Sequence, residues 1–267
     1  MVYREVAELE SRNEPGALCI LVRAQGSTPR GAASKMIVYA DGSIHGTVGG
    51  GEMEGRVISE ALQAMQDGRP RYLEYAMSDP GRGDPGVCGG QVEIFVEPIL
   101  PKPVLVVVGC GHVGKAVAHL AHWLGFRVAV SDDRSEFCDP EAVPEADDYY
   151  PVPFKDLSAQ LKITPWTYFV LTTRGVDIDV PGLPALLNSP AAYIGVIGSR
   201  RRWTTTRTKL AEAGISAELL DRVISPIGLE LGAETPEEIA VSILAEIMMI
   251  RRGKSIGAQP MKESAAS

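Results

Sequence analysis

Hydrophobic and polar positions divide the chain into two halves with different patterns. The first half has short apolar runs of strand length, at 17–24, 36–40, 44–48, 72–77 and 91–97. One apolar stripe with the spacing of a helix lies among them, at Met53, Val57, Ala61 and Met65. Successive strands with a single helix predict a small α+β domain.

The second half alternates strands with helices. Strand-length runs rich in apolar residues, typical of a buried parallel sheet, span 104–108, 127–131, 167–173 and 192–198. A helical face follows the first run at 113–124, and Thr235-Pro236 with Glu238 marks the start of the last helix. The alternation predicts an α/β fold, in which a Rossmann-like doubly wound parallel sheet domain is preceded by a smaller α+β domain.

Three prolines separate the halves, at Pro98, Pro101 and Pro103. Proline fixes φ and lacks a backbone donor, so neither a helix nor an inner strand is expected to continue through them. We place the domain boundary here, with residues 1–100 and 101–253 as the two domains. Residues 254–267 are expected to be a disordered tail.

Composition and charge argue against several classes of protein. The formal net charge is -8 and the one dense basic run is Arg200–Arg202, so a nucleic-acid-binding surface is not expected. The four cysteines include no CxxC pair, so neither a zinc site nor a redox dithiol is indicated. The apolar runs are far shorter than the ~20 residues of a membrane helix, and the charged N-terminus has no apolar signal core. We expect a cytoplasmic protein without a metal site or membrane association.

A dinucleotide-binding fingerprint, GxGxxG, begins at Gly109 directly after a predicted strand. The first glycine permits a tight turn, Gly111 lets the backbone approach a pyrophosphate, and Gly114 lets the following helix pack on the strand. The N-terminus of that helix favours an anion, and His112 stands at its start. The motif predicts a nucleotide site, while the same glycines also fit a Rossmann domain whose pocket is vestigial.

Charged residues follow the next predicted strand, where an NAD-type ligand places its ribose. Asp132 lies about 20 residues beyond the glycines, with Asp133 beside it, and a carboxylate there binds ribose hydroxyls. Arg134 is suited to a phosphorylated ribose. NAD(P) or another nucleotide is therefore the expected ligand.

Three glycine-rich loops lie at strand ends in the first half. Their candidate cofactor-binding residues are Ser27, Arg30, Gly50, Gly51, Glu52, Cys88 and Gly89. Glycines there expose backbone N–H groups, and a helix N-terminus behind the second loop favours an anion. A thiol between glycines is suited to act as a reactive group or a soft ligand. Such loops are equally expected as tight turns of a compact β-rich domain.

A basic segment, Ser199-Arg200-Arg201, follows the predicted strand at 192–198. Ligands of parallel sheets bind at this edge, and an arginine here can clamp a phosphate. The alternative is the solvated start of a basic helix.

Five segments, in the same order along the chain, resemble the XdhC/CoxI family. They are GSTPRGAASKMIVYADGSIHGTVGGGEMEG, VCGG, GCGHVG, YIGVIGSRRR and PIGLELGAETPEEIAVSILAEI. The resemblance runs from about Ala17 to Arg252. It implies a xanthine dehydrogenase accessory protein, a chaperone that receives the molybdopterin (molybdenum) cofactor and holds it while its sulfido ligand is installed. The resemblance further implies that such a chaperone delivers the cofactor to xanthine dehydrogenase-like or CO dehydrogenase-like apoenzymes.

The resemblance also implies partners and a mode of action. A molybdenum hydroxylase apoenzyme, a cysteine desulfurase and a second copy of the chain in a homodimer are expected. Binding rather than turnover is implied, and no catalytic residue is assigned. Family members commonly carry a cysteine where this chain has Glu52, so a role for Cys88 as a metal or sulfur contact is a hypothesis.

Two other functions stay open. The fingerprint fits an NAD(P)-dependent oxidoreductase, but no Tyr-x-x-x-Lys pair follows it and no histidine occurs after His122 to donate a proton. A nucleotidyltransferase-like enzyme acting on molybdopterin needs paired carboxylates for Mg²⁺. Adjacent residues such as Asp132 and Asp133 point apart at a strand end.

Overall fold

The computed structural model describes residues 2–26, 28, 30–76 and 89–253. The chain forms two compact units, Met1–Pro101 and Lys102–Ser267. The predicted disordered tail lies outside the described residues. None of the helices in the described ranges combines the length and the apolar character needed to cross a bilayer.

The first unit is a five-stranded antiparallel sheet with a helix on each face. Its elements are α1 (Val2–Arg12), β1 (Gly16–Gln25), β2 (Lys35–Tyr39), β3 (Ile44–Gly46), α2 (Gly51–Asp67), β4 (Arg71–Ala76) and β5 (Gln91–Ile99). The strand order is β3-β2-β1-β5-β4. The apolar stripe of α2 is buried on one face, as its spacing predicts, and Leu9 of α1 packs with Leu18 and Ile37 on the other.

The expectation that no inner strand continues through the prolines is wrong at Pro98. Strand β5 runs on to Ile99. It pairs with β4 only as far as Val96, whereas its pairing with β1 continues to Ile99. One side of β5 is therefore open beyond Val96, and a residue without an N–H group is tolerated at such an edge.

The second unit is a six-stranded parallel sheet with helices on both faces. Its elements are β6 (Val104–Val108), α3 (His112–Trp123), β7 (Arg127–Ser131), β8 (Asp148–Tyr150), α4 (Phe154–Leu157), β9 (Thr167–Leu171), α5 (Val176–Leu187), β10 (Tyr193–Val196), α6 (Arg200–Glu212), α7 (Ala217–Leu220), β11 (Val223–Ile224) and α8 (Pro236–Arg251). The order β11-β10-β9-β6-β7-β8 is that of a Rossmann fold. The predicted fold class is confirmed.

Alternate residues of β6 supply two separate apolar cores. Leu105 and Val107 join the cluster that contains α3 and α8, whereas Val106 and Val108 join the cluster that contains α4, α5 and α6. A strand that is apolar on both faces requires this arrangement, because each face is removed from water. Helix α8 begins as predicted, with Thr235 and Glu238 forming a capping box.

Candidate functional site

A cleft of about 260 Å³ opens at the carboxyl ends of β6, β7 and β9. Strands β7 and β9 pair with β6 on either side, so the cleft lies where the strand order reverses, the usual ligand site of doubly wound sheets. The lining residues are Val108, Gly109, Gly111, 131–134, 152–155, 172–174, Asp177, Ile178 and Pro181. Pockets for small molecules span roughly 300–1,000 Å³. The cleft is therefore at the small end of the range for ligand pockets.

The three fingerprint glycines have different structural roles. Gly109 has φ +102°, and a Cβ added there would lie 2.7 Å from the carbonyl oxygen of Thr172. A Cβ on Gly114 would lie 2.0 Å from the carbonyl oxygen of Gly109. Gly111 has φ -74°, and a Cβ there would meet no atom within 4 Å. Gly109 and Gly114 thus serve chain packing, whereas Gly111 leaves open space before the N-terminus of α3.

Asp132 ties the glycine loop to the end of β7. Its side chain is only 3% exposed. The carboxylate accepts hydrogen bonds from the backbone N–H of Cys110 (2.9 Å) and of Arg134 (3.0 Å), and from Nε and Nη2 of Arg134 (both 2.9 Å). A carboxylate has about four acceptor positions. In this conformation Asp132 therefore holds the loop and has no acceptor position left for the ribose.

These hydrogen bonds set the ionisation of Asp132. Burial acts to raise its pKa, but the hydrogen bonds from the Arg134 side chain and from the two backbone N–H groups outweigh burial and lower the pKa to about 2. A carboxyl group whose pKa is lower in the folded than in the unfolded chain stabilises the fold when it is ionised. That stabilisation is complete above the unfolded pKa of about 3.9 and is lost as the pH falls through the folded value.

We expect Asp132→Asn to lower the free energy of unfolding by about 2–3 kcal/mol at neutral pH, the equivalent of the lowered pKa. The difference between the two proteins should narrow between about pH 4 and about pH 2, where the wild-type carboxylate takes up its proton. Urea unfolding at a series of pH values measures both quantities. A difference that stays constant down to pH 2 would contradict the role of the ionised carboxylate.

The other polar groups of the cleft include cations and one buried hydroxyl. The guanidinium of Arg134 stacks on the ring of Phe137, with Cζ 3.9 Å from the ring centroid. Lys155 and Arg174 also line the cleft. The Ser131 hydroxyl is buried and has no hydrogen-bond partner among the described residues. An unpaired buried hydroxyl is costly, so its position on the cleft wall fits a ligand that supplies the missing partner.

Two buried thiols lie beneath the glycine loop. Cys110 and Cys138 are 1% and 3% exposed and belong to the apolar cluster that contains α3. The Cys110 thiol donates towards the carbonyl oxygen of Ser131 at 3.7 Å. The neighbouring Cys138 thiol, together with burial, raises the pKa of Cys110. Cys110 is therefore a neutral core side chain that anchors the loop.

His112 is the first residue of α3, but its exposed side chain faces a different groove. That groove lies between α3 and the start of α8, and it also contains Lys115 and His119. Nδ1 of His119 lies 2.8 Å from a carboxylate oxygen of Glu145. The structure therefore separates His112 from the residues that line the glycine cleft.

The basic segment begins α6 and lies outside the cleft lining. Ser199 caps the helix by accepting a hydrogen bond from the Arg202 N–H at 3.3 Å, and Arg200 and Arg201 are exposed. Arg202 turns inward instead. Its Nη1 donates to the carbonyl oxygen of Thr173 at 2.9 Å, so it supports the cleft-lining loop after β9.

The glycine-rich loops of the first unit follow or precede strands at one end of its sheet. The antiparallel order places the end of β1, the start of β2, the end of β3 and the start of β5 together. A Cβ added at Gly26 would lie 3.2 Å from Cα of Gly90, so the first and third loops touch. Arg30 is exposed, and Gly89 has φ +75°. Ser27 and Cys88 lie outside the described residues.

Glu54 shapes the second of these loops. Its carboxylate accepts hydrogen bonds from the backbone N–H groups of Val48 and Gly50, both at 3.2 Å, and from the Thr47 hydroxyl. Gly50 and Gly51 have φ +79° and +64°, which other residues rarely adopt. Glu52 lies outside this network, where it forms an exposed ion pair with Arg56 at 2.6 Å.

Comparison with known families covers both units. The model of the XdhC Rossmann domain matches residues 105–247, and the model of the XdhC and CoxI family matches residues 9–76. The chain belongs to the XdhC/CoxI family. The resemblance seen in the sequence is thereby confirmed.

Several relatives of this XdhC/CoxI protein have been described. It is 38% identical over 252 residues to YqeB of Escherichia coli, an uncharacterized protein, and 33% identical over 159 residues to a Bacillus subtilis protein described as a probable component of xanthine dehydrogenase. These alignments cover 94% and 60% of this chain, which spans only 46% of the length of either relative. It is 27% identical to PaoD, a molybdenum cofactor insertion chaperone of Escherichia coli, over 94% of this chain and 88% of PaoD.

A solved structure shares the fold of the XdhC/CoxI chain. It is described as a xanthine dehydrogenase from Bacillus halodurans, and the two chains superpose with a TM-score of 0.52 at 21% identity. The match covers 97% of this chain and 98% of the other. It supports the same order of folded elements through both units.

Sequence reasoning about this XdhC/CoxI chain missed three residues that the structure places in or beside the candidate sites. Ser131 and Arg174 line the cleft, and Glu54 organises the loop before α2. The signal for Arg174 was its place in Thr172-Thr173-Arg174, directly after the buried strand β9, as the glycine motif directly follows β6. Residues at the ends of neighbouring parallel strands meet at one edge of the sheet.

Proposed function

We propose that this chain is an accessory protein that binds molybdenum cofactor and delivers it to xanthine dehydrogenase-like or CO dehydrogenase-like apoenzymes. The observation that carries the proposal is the relation to PaoD, which extends over 94% of this chain and 88% of that chaperone. Because the relation includes both folded units, it is more informative than the dinucleotide motif, which occurs in many unrelated functions.

We further propose that the cleft of the second unit holds a nucleotide, either NAD(P) or a nucleotide form of the pterin cofactor. Gly111 leaves space before the N-terminus of α3, where backbone N–H groups favour an anion. The same cleft lining contains three cations that can contact a phosphate, Arg134, Lys155 and Arg174, alongside three carboxylates, Asp132, Asp133 and Asp177. The unpaired hydroxyl of Ser131 supports a bound polar group.

Binding without turnover fits the cleft better than a dehydrogenase does. Hydride transfer to a carbonyl needs a general acid placed at the substrate, and histidine is the side chain most often used. The described residues that line the cleft include no histidine or tyrosine, although Lys155 and Asp177 are ionisable groups there. An NAD(P)-dependent oxidoreductase is therefore the second candidate, supported by the GxGxxG fingerprint and the Rossmann strand order.

The remaining parts of the proposal rest on the family resemblance. They are a molybdenum hydroxylase apoenzyme as the recipient, a cysteine desulfurase as the sulfur source, a homodimer and a cytoplasmic site of action. The glycine loops of the first unit are proposed as contacts to the pterin phosphate, because strand-end glycines expose backbone donors. Arg30 is a cation on one of these loops that is exposed to solvent.

Purification from cells that synthesise molybdenum cofactor tests this function. We expect the protein to retain pterin and molybdenum in a near-stoichiometric ratio, measured by pterin fluorescence and metal mass spectrometry. The same protein from cells that cannot make the pterin is the control. Retained pterin should also restore activity to a molybdenum hydroxylase apoenzyme. A preparation that lacks pterin but oxidises a nicotinamide cofactor with a small carbonyl substrate would replace the chaperone by the dehydrogenase.

A further inference from the structure

Two Asp–Arg pairs line the cleft, and they differ in how firmly they are held. The Asp132 side chain is 3% exposed, and its Arg134 partner donates three hydrogen bonds to it and stacks on an aromatic ring. Asp133 is paired with Arg174 through a single nitrogen, Nη2, at 2.6 and 2.7 Å from the two carboxylate oxygens. Those two side chains are 44% and 51% exposed. Exposed pairs are screened by solvent and contribute little, so the Asp133–Arg174 pair is the one that a ligand can open.

The Asp133–Arg174 pair spans the strand that carries the glycine loop. Asp133 lies in the loop after β7 and Arg174 in the loop after β9, and β6 pairs with both of these strands. The glycine loop follows β6 and leads into α3, so Asp133 and Arg174 come from the strands on either side of that loop, and Gly111 and Arg174 line the same cleft. A phosphate bound at the N-terminus of α3 would therefore share the cleft with Arg174.

The main chain that carries Arg174 is fixed by hydrogen bonds to the residue before it. The preceding residue, Thr173, accepts hydrogen bonds from Arg202 at its carbonyl oxygen (2.9 Å) and its hydroxyl oxygen (2.6 Å). Its hydroxyl group in turn donates to the fully buried carboxylate of Asp179. The Arg174 side chain can change partner while its main chain stays in place.

We propose that Arg174 binds a phosphate of the nucleotide and that Asp133 occupies it in the ligand-free protein. When a nucleoside diphosphate binds, the guanidinium exchanges the carboxylate for the ligand phosphate. Asp133 is then released to accept hydrogen bonds from the ribose hydroxyls, since the acceptor positions of Asp132 are already filled. The inference rests on the proposed nucleotide binding by this cleft, and it names the two residues that make the exchange.

Calorimetric titration of the full chain with inorganic pyrophosphate and with ADP tests the exchange. Arg174→Ala should weaken pyrophosphate binding about tenfold or more, because a charge-assisted contact is lost. Asp133→Asn should tighten pyrophosphate binding several-fold, because Arg174 no longer has a competing carboxylate. The same variant should gain less with ADP than with pyrophosphate, because its ribose acceptor is missing. Arg207→Ala, which removes an arginine whose ion pair with Asp221 lies outside the cleft lining, should bind both probes as the unmodified chain does.

The outcomes separate this inference from the function on which it rests. If the unmodified chain binds both probes and neither Arg174→Ala nor Asp133→Asn changes the affinities, the exchange is wrong and the nucleotide site stands. If Asp133→Asn weakens pyrophosphate binding, the pair supports the loop and does not compete with the ligand, which also overturns the exchange. If the unmodified chain binds neither pyrophosphate nor any nucleotide, both proposals fail together. Thermal unfolding of each variant checks that the fold is kept.

Discussion

Replacing Asp179 with alanine should lower the free energy of unfolding by about 3–5 kcal/mol. The Asp179 side chain is 0% exposed, and it accepts hydrogen bonds from Nε and Nη2 of Arg202 at 3.1 and 2.7 Å and from the Thr173 hydroxyl. Arg202 is itself only 18% exposed. Alanine would leave its guanidinium largely buried and without a counter-charge, which costs far more than the loss of an exposed pair. Urea unfolding at neutral pH measures the change.

A control for this substitution lies two residues before it on the same helix. Asp177→Ala removes a side chain that is 100% exposed and has its cation, Lys209, at 3.9 Å. The free energy of unfolding of the Asp177→Ala variant should equal that of the unmodified chain. The double variant Asp179→Leu with Arg202→Met replaces both charges by apolar groups and should recover much of the loss. A cost below about 1 kcal/mol for Asp179→Ala alone is what an exposed pair gives and would contradict the assignment.

The fold was predictable where the apolar pattern was long enough to have a clear period. The α2 stripe belongs to this class, whereas β6 was recognised by its continuous apolar run and the start of α8 by its capping residues. Strands β8 and β11 contain 3 and 2 residues, too few for a pattern to emerge, and they are set by pairing with β7 and β10. Helix α5 contains Pro181 and Pro184, which argue against a helix when the sequence is read alone.

The candidate site was predictable from the sequence only for the residues that belong to a local motif. Gly109, Gly111 and Asp132 stand in a fixed spacing that marks a nucleotide cleft, and the structure places all three in its lining. Their partners depend on which strands become neighbours. Arg174 reaches Asp133 across 41 residues of sequence because β7 and β9 flank β6, and no spacing in the chain expresses that.

The basic segment is a second place where the local sequence does not reveal which side chain contacts which partner. Successive residues on a helix point about 100° apart, so adjacent arginines face different surroundings. Only the rotation of α6 against its neighbours makes Arg202 the inward residue and leaves Arg200 and Arg201 exposed. The sequence of three consecutive arginines does not reveal which of them contacts Asp179.

Gly114→Ala should lower the free energy of unfolding by about 3 kcal/mol or more and abolish nucleotide binding. The added Cβ would lie 2.0 Å from the carbonyl oxygen of Gly109 and 2.9 Å from the Thr172 hydroxyl oxygen. Because the first of these atoms belongs to the backbone, α3 must move away from β6 to make room. That movement separates the helix N-terminus from the glycine loop. Chemical unfolding and titration with ADP measure the two effects.

Gly111→Ala makes the same chemical change three residues earlier and separates packing from ligand contact. Its φ of -74° suits alanine and the added Cβ would meet no atom of the protein within 4 Å, so the free energy of unfolding should fall by no more than about 1 kcal/mol, the cost of alanine at the N-cap of α3. The methyl group instead projects where we propose that the phosphate approaches, and ADP affinity should fall about tenfold or more, because a close approach of the backbone is lost. A Gly111→Ala protein that binds ADP as the unmodified chain does would show that the ligand does not approach through this loop. A Gly114→Ala protein of full stability would show that α3 relaxes without cost. If the glycine loop binds phosphate, both variants should lose ADP affinity, and only Gly114→Ala should also lose about 3 kcal/mol or more of stability.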